Sequence, residues 1–157
     1  MIAPVFVDTN VLLYAVSTAP AEADKTARAR QLLEAEDLAL SVQVLQEFYV
    51  QATRASRTGR LSHEQAAMLV EAFQRYPVLD VTAELMRAAF DTADRFGISY
   101  WDAAIIEAAR QLGCKTLLSE DLADGESYGG VTVENPFRRR SASGAAKTRR
   151  RRRPPTQ

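Results

Sequence analysis

Apolar residues come in two rhythms along this chain, and their alternation predicts the fold class. Short continuous runs, Ile2 to Val7, Leu38-Ala39-Leu40, Pro77 to Val81 and Lys115 to Leu118, have the length and β-branched content of buried strands, with Val131-Thr132-Val133 a possible fifth. Between them the apolar positions fall at helical spacing. Asn10 to Val16 predicts a short helix. Glu22 to Ala35 predicts a longer one, with Ala29, Leu32 and Leu33 as a thin apolar face opposite Lys25, Arg28 and Arg30. Ser41 is placed to cap a helix carrying Val44, Leu45 and Phe48 that ends near Ser56 to Gly59. Ser62-His63-Glu64-Gln65 is a capping box, and it opens a helix with Met68, Leu69, Ala72 and Phe73 on one side. A further helix runs from Thr82 to Gly97. Another, capped by Ser99 and stopped by Gly113, carries Ile105, Ile106, Ala109 and Leu112. Strands alternating with helices imply parallel βαβ units with helices on both sheet faces.

Composition fits one soluble domain, with 46% hydrophobic and 25% charged residues in a chain of 157. The formal net charge of zero hides a division. All 20 acidic residues lie at or before Glu134, whereas nine of the 20 basic ones lie from Arg138 onward, so residues 1–137 carry −9 and the tail +9. The expected organisation is a folded domain over 1–137 and a disordered Arg-rich tail over 138–157, which has almost nothing apolar to bury. The single cysteine, Cys114, rules out an intramolecular disulfide and a thiolate metal cluster, and reads as a small residue near the core. No secretory pattern and no membrane-length apolar run is visible, so a cytoplasmic protein without a membrane partner is expected.

Four carboxylates stand out against this framework. Asp8 follows the first strand and Asp121 the fourth, Asp102 opens a helix, and Glu47 interrupts the apolar stretch from Val42 to Val50. Each also fits a structural role. Asp8-Thr9-Asn10 suits a helix N-cap, Ser99 to Asp102 a capping box, Glu47 a solvated helix position, and Asp121 the start of a polar loop. Together they carry more, because ligands of doubly wound sheets bind outside the carboxyl ends of the strands. Carboxylates gathered there repel one another unless a cation lies between them, and hard divalent ions suit oxygen ligands and phosphate substrates. His63 is the only histidine and reads as a surface residue, so no Ser-His-Asp arrangement or His-based metal pair is available. Tyr100 and Trp101 are open to a base-stacking reading, but one and two positions before Asp102 they read first as packing residues, Trp101 as core.

The segments Val5-Phe6-Val7-Asp8-Thr9-Asn10-Val11-Leu12, the lone helical Glu47, Ser99-Tyr100-Trp101-Asp102-Ala103-Ala104-Ile105-Ile106 and Leu117-Leu118-Ser119-Glu120-Asp121-Leu122 resemble the four signature segments of PIN-domain ribonucleases. Within that family the chain is most similar to VapC-type toxins of type II toxin–antitoxin systems, in order and spacing over residues 2–137. The resemblance implies a three-layer α/β/α fold with a central parallel sheet, and cleavage of RNA by Mg²⁺- or Mn²⁺-assisted attack of water. It also implies that Asp8, Glu47, Asp102 and Asp121 form the acidic, metal-binding quartet, with Asn10 and Ser119 supporting it. A cognate antitoxin and homodimerisation follow from the same resemblance, with the helices over 41–56 and 62–74 as contact surfaces by analogy. Glu120 and Asp124 are also acidic and leave open a shared or displaced fourth ligand.

Three other readings differ in function. One is a PIN-like nuclease of RNA processing that is no toxin. Another is an inactive PIN-like module that binds RNA or protein, though all four acids are present. A phosphatase with a nucleophilic aspartate would want a second aspartate where Asn10 stands, and an amide cannot donate and recover a proton there.

Overall fold

Phe6 and Val7 have no exposed surface, the mark of a strand covered on both faces. In the computed structural model, which describes residues 4–138, they belong to the middle of a six-stranded sheet. The strands are β1 (Val5–Val7), β2 (Leu38–Ser41), β3 (Val78–Leu79), β4 (Thr116–Leu118), β5 (Ser127–Tyr128) and β6 (Val131–Glu134). Their order across the sheet is β3-β2-β1-β4-β6-β5, and all neighbours are parallel except the edge pair β5 and β6. The chain thus leaves β1 on one side, through β2 and β3, and returns on the other to β4. That reversal creates a crevice at the carboxyl ends of β1 and β4.

Helices α1 (Thr9–Ala15), α2 (Ala23–Leu32), α3 (Val42–Ala52), α4 (His63–Phe73), α5 (Ala83–Phe96) and α6 (Tyr100–Gln111) flank the sheet in a three-layer α/β/α arrangement. Phe6, Leu12, Leu40, Phe48, Ile106 and Leu117 are wholly buried where strands and helices meet. Each such side chain stabilises the fold by about 1.5–3 kcal/mol relative to exposure. Ser41, Ser62, Thr82 and Ser99 all cap the helices that follow them. Cys114 is buried, as its sequence setting suggests, and burial pushes its thiol up to about 11.

Several boundaries differ from the sequence reading. The second helix begins as a 3₁₀ turn at Pro20–Glu22 and ends at Leu32, short of Ala35. Helix α3 stops at Ala52, because its last carbonyls are taken by the turn through Thr53 and Arg54 and Leu61 returns to bond Ala52. On α4 the buried positions are Ala66 and Phe73, with Leu69 and Val70 partly covered, while Met68 is 72% exposed and Ala72 lies outside. The apolar stripe is therefore turned from the one expected. Strand β5 has no counterpart in the sequence reading, although Gly129-Gly130, with φ of 59° and 95°, is a strong two-residue hairpin signal. Ile2 and Ala3 of the expected first strand, and the tail from Arg139, lie outside the described residues.

Candidate active site at the carboxyl edge of the sheet

Strand register brings Asp8 and Ser119 side by side. Val7 pairs with Leu118, the Asp8 amide donates to the Leu118 carbonyl at 3.0 Å, and the Ser119 amide donates to Glu134 O at 3.1 Å. Asp8 is only 7% exposed and Ser119 wholly buried. The Ser119 hydroxyl donates to Asp8 Oδ2 at 2.7 Å, and the Thr9 amide donates to Asp8 Oδ1 at 2.7 Å. Asp8 therefore does serve as the N-cap of α1 through Oδ1, while Oδ2 meets Ser119 and Asn10 at the crevice. The cap reading of Asp8 holds, and it leaves the same carboxylate in the wall of the crevice.

Asn10 Nδ2 lies 3.4 Å from Asp8 Oδ2 and 3.2 Å from Asp121 Oδ2, and Asn10 Oδ1 accepts from the Glu120 amide at 3.3 Å. The Ser119 hydroxyl in turn accepts from the Asp121 amide at 3.1 Å. Asn10 and Ser119 thus tie the loop after β4 to the loop after β1. They are the bridge between two of the acids.

Glu47 reaches the same place from α3. The Thr9 hydroxyl donates to its Oε2 at 2.7 Å, and Gln43 Nε2, one helical turn earlier, donates to its Oε1 at 3.0 Å. Asp102 arrives on the first turn of α6. Ser99 Oγ accepts from its amide at 3.1 Å, but the reciprocal half of a capping box, present at Ser62 and Gln65, is missing here. Its carboxylate makes no hydrogen bond or ion pair among the described residues, and is not consumed by capping.

Asp8, Glu47, Asp102 and Asp121 line one cavity of about 90 Å³, with Thr9, Asn10, Gln51 and Trp101 among its other walls. Among the described residues none of the four is paired with a lysine or arginine. Burial is the main cause that pushes Asp8 up to about 6, outweighing the Ser119 and Thr9 hydrogen bonds, with the Asp121 and Glu47 charges adding to it. The flanking acids are engaged elsewhere. Glu120 is paired with Lys25, which with the Tyr14 hydroxyl holds its carboxyl low against the upward push of burial. Asp124 accepts from the Asn135 amide at 2.9 Å and pairs with Arg138 at 3.0 Å.

A cavity walled by oxygen donors with uncompensated negative charge fits a hard divalent ion that keeps part of its water shell. Among the described residues no three acidic side chains close around one point as a finished coordination sphere. Water ligands or small side-chain rotations would have to complete it, and Asp121, which is exposed, and Asp102, which is unbonded, are the acids best placed to move.

Two residues near the site differ from, or are absent from, the sequence reading. Trp101 is not core: it is 64% exposed at the cavity rim, while the buried face of α6 is carried by residues from Ala103 onward. Arg57 has no role in the sequence reading. It is half-buried, donates to the Leu13 carbonyl at 3.2 Å, and lines an adjoining cavity of about 210 Å³ with Asn10, Gln51, Glu120 and Asp121. The cluster Arg54, Arg57 and Arg60 after α3 is the available signal. His63 is exposed, as expected, and bonds the Tyr49 hydroxyl at 2.8 Å, away from the acids.

Known structures share this architecture. A toxin–antitoxin complex from Klebsiella pneumoniae aligns with a TM-score of 0.61 at 18% identity, over 85% of this chain and 98% of that one. VapBC from Salmonella typhimurium bound to DNA aligns with a TM-score of 0.60 at 21% identity, over 86% and 99%. VapC20 of Mycobacterium tuberculosis, a toxin that cleaves the sarcin–ricin loop, gives 0.58 at 22% identity, over 74% and 91%. No curated protein matches the sequence. The PIN domain matches residues 5–123, a span that takes in all four acids and both of the residues bridging them, and the chain belongs to the PIN domain family.

Proposed function

We propose that this protein is a metal-dependent endoribonuclease that hydrolyses RNA phosphodiester bonds, and that it acts as the toxin of a toxin–antitoxin pair. The observation that carries the reading is the small cavity in which Asp8, Glu47, Asp102 and Asp121 meet without a protein cation. These four would hold Mg²⁺ or Mn²⁺. The bound ion would supply a water of lowered pKa and charge stabilisation for the phosphorane-like transition state. The protein's own part is positioning. Asp8 is held by Ser119 and Thr9, Glu47 by Thr9 and Gln43, and Asp121 by Asn10. These donors fix the orientation of Asp8, Glu47 and Asp121, while the Asp102 carboxylate carries no donor among the described residues and is free to turn toward an ion.

An antitoxin partner is supported by the solved assemblies this fold resembles, which include toxin–antitoxin complexes. A groove of about 740 Å³ between α3 and α4, lined by Leu45, Tyr49, Val50, Ala67 and Val70, gives a partner protein or a second copy an apolar seat. Among the described residues no helix is long and apolar enough to cross a membrane.

The test is incubation of purified full-length protein with single-stranded and structured RNA, with Mg²⁺, Mn²⁺ or EDTA. Ion-dependent cleavage at discrete positions is expected, lost in Asp8→Asn. Cleavage that persists undiminished in EDTA would refute the metal assignment. RNA left intact under all conditions would refute the nuclease reading and favour a binding module.

A further inference from the structure

The acidic cavity is too small to hold a nucleotide. Its volume of about 90 Å³ equals the liquid share of about three waters. An ion and a few waters fill it, so whatever is recognised beyond the phosphate must lie on the rim. Among the residues lining the cavity, Trp101 is the one aromatic.

Trp101 is built as a ledge. It stands one residue before Asp102 on the first turn of α6, and it is 64% exposed. Gln43 Nε2 donates to the Trp101 carbonyl at 3.3 Å and to Glu47 Oε1 at 3.0 Å, so one amide fixes the height of the ledge relative to a site carboxylate. Tyr100 meets the indole edge-on, with centroids 4.9 Å apart and planes at 74°, and Tyr100 itself rests on Phe90 at 5.4 Å. The ring is thus braced from the side while most of its surface stays in solvent. Burying an indole is strongly favourable, and a protein leaves one open beside a phosphate-chemistry site at some cost in solubility.

We propose that the Trp101 indole is the stacking platform for an unpaired base of the RNA strand, adjacent to the phosphate held at the acidic cavity. The proposal rests on the ribonuclease reading for its substrate class. A flat ring face accepts any base, so Trp101 would supply affinity and strand register rather than sequence preference. It would also demand that the base be unpaired and turned out, which restricts cleavage to single-stranded or looped RNA.

Trp101 is the only tryptophan in the chain, so its fluorescence reports on itself alone. The experiment uses the full chain carrying Asp8→Asn to block turnover, in Mg²⁺, titrated with single-stranded oligo(A) and oligo(U) of roughly 12 nucleotides, within the usual single-strand site size. Indole emission should be quenched in step with binding. Adding Trp101→Ala should weaken binding about 5- to 150-fold, the range of one base–aromatic stack, and Trp101→Tyr should restore most of it. In the otherwise wild-type protein Trp101→Ala should act mainly on KM.

RNA binding without any change in emission, or equal affinity in Trp101→Ala, would overturn the proposal. So would a shift of Trp101→Ala from dimer to monomer on size exclusion with RNA affinity unchanged, since the ring would then belong to a protein interface. Absence of RNA binding would overturn it as well. The nuclease reading fails by a separate observation, intact RNA with the wild-type protein and Mg²⁺ or Mn²⁺, and quenching by RNA in that case would still uphold the stacking platform.

Discussion

Ser119 Oγ donates a 2.7 Å hydrogen bond to Asp8 Oδ2 from the neighbouring strand end, while accepting from the Asp121 amide. One wholly buried hydroxyl therefore ties the carboxylate of Asp8 to the backbone of Asp121, 113 residues away in sequence. Removing it leaves Asp8 buried with one fewer donor, and charge-assisted hydrogen bonds are worth about 1.5–3 kcal/mol. Ser119→Ala should lower cleavage by about tenfold or somewhat more, as each 1.4 kcal/mol is a factor of ten. Asn10→Ala should have a similar, partial effect. Calorimetry should still detect divalent-ion binding in both. Complete loss of ion binding in Asn10→Ala would make Asn10 a ligand rather than a bridge.

Asp8 also makes the stability of the ion-free protein depend on pH. Its folded pKa of about 6 lies above the ordinary 3.8, chiefly through burial. The folded state therefore holds this proton more tightly than the unfolded state does. That stabilisation is fully present below about pH 4 and is lost as pH rises through about 6. The whole span amounts to about 3 kcal/mol at most. In EDTA the melting temperature should carry a component that falls from pH 4 to 6.5 and then levels. Mg²⁺ or Mn²⁺ should restore stability above pH 6, and Asp8→Asn should flatten this component. The gain from Asp8→Asn is partly offset, since an amide has one acceptor oxygen for the two donors Thr9 and Ser119. A melting temperature with the same pH dependence in Asp8→Asn would count against an ionised, strained Asp8.

Three of the four candidate acids were legible in the sequence because they lie near a strand end or helix start, positions that the apolar rhythm locates well, and Glu47 stood out as the one charge in an apolar helical stretch. Asp8 follows β1 directly and Asp121 comes three residues after the end of β4, and the parallel pairing of the two strands brings them to the same edge. The rim was not legible. Trp101 and the apolar face of α6 share one helix, and sequence spacing does not tell that Trp101 stays open to solvent while Ile105 and Ile106 are covered. The turned stripe of α4 has a related cause. Ala66 and Met68 are both apolar by type, and only the packing of Phe73 against Phe48 decides which of them faces inward. Edge strand β5 is two residues long and owes its pairing to the Gly129-Gly130 turn more than to its own apolar content.

That edge is held by an ion pair with a buried carboxylate and a half-buried guanidinium. Glu107, only 6% exposed, accepts from the Thr92 hydroxyl at 2.5 Å and is paired with Arg110, whose guanidinium also bonds the Tyr128 and Gly129 carbonyls. A Cβ at Gly129 would fall 2.8 Å from Arg110 Nη2 and displace the guanidinium. Losing a hydrogen-bonded partner of a charged group typically costs about 1.5–3 kcal/mol, short of the cost for a fully buried pair because Arg110 keeps contact with water. Glu107→Ala should destabilise the domain by about that much in urea titrations, and Gly129→Ala by less. Purified Gly129→Ala should keep RNA cleavage near the wild-type rate at low temperature, since the hairpin lies apart from the acidic cavity. A large loss of activity without loss of stability in Gly129→Ala would mean that the hairpin shapes the site.

The remaining electrostatic question is how an acidic body approaches RNA. Residues 1–137 carry −9, and eight of the nine basic residues of the tail lie beyond Arg138. Arg138 itself is tied to Asp124 at 3.0 Å, so truncation immediately after it preserves that ion pair. We propose that the residues beyond it act as a polycationic arm that adds affinity by counterion release, a contribution indifferent to sequence. Truncation should leave the melting temperature of the folded part nearly unchanged. It should weaken RNA binding most at low salt, and reduce the slope of log K against log salt by about 0.7 for each phosphate of a single strand that the arm neutralises. The positions of the cuts should stay the same, because the acidic cavity and its rim are intact. Binding isotherms at several salt concentrations, together with mapped RNA ends for the full and truncated chains, measure both effects. Altered cut sites would show that the arm reads sequence, and an unchanged salt slope would show that it does not touch RNA.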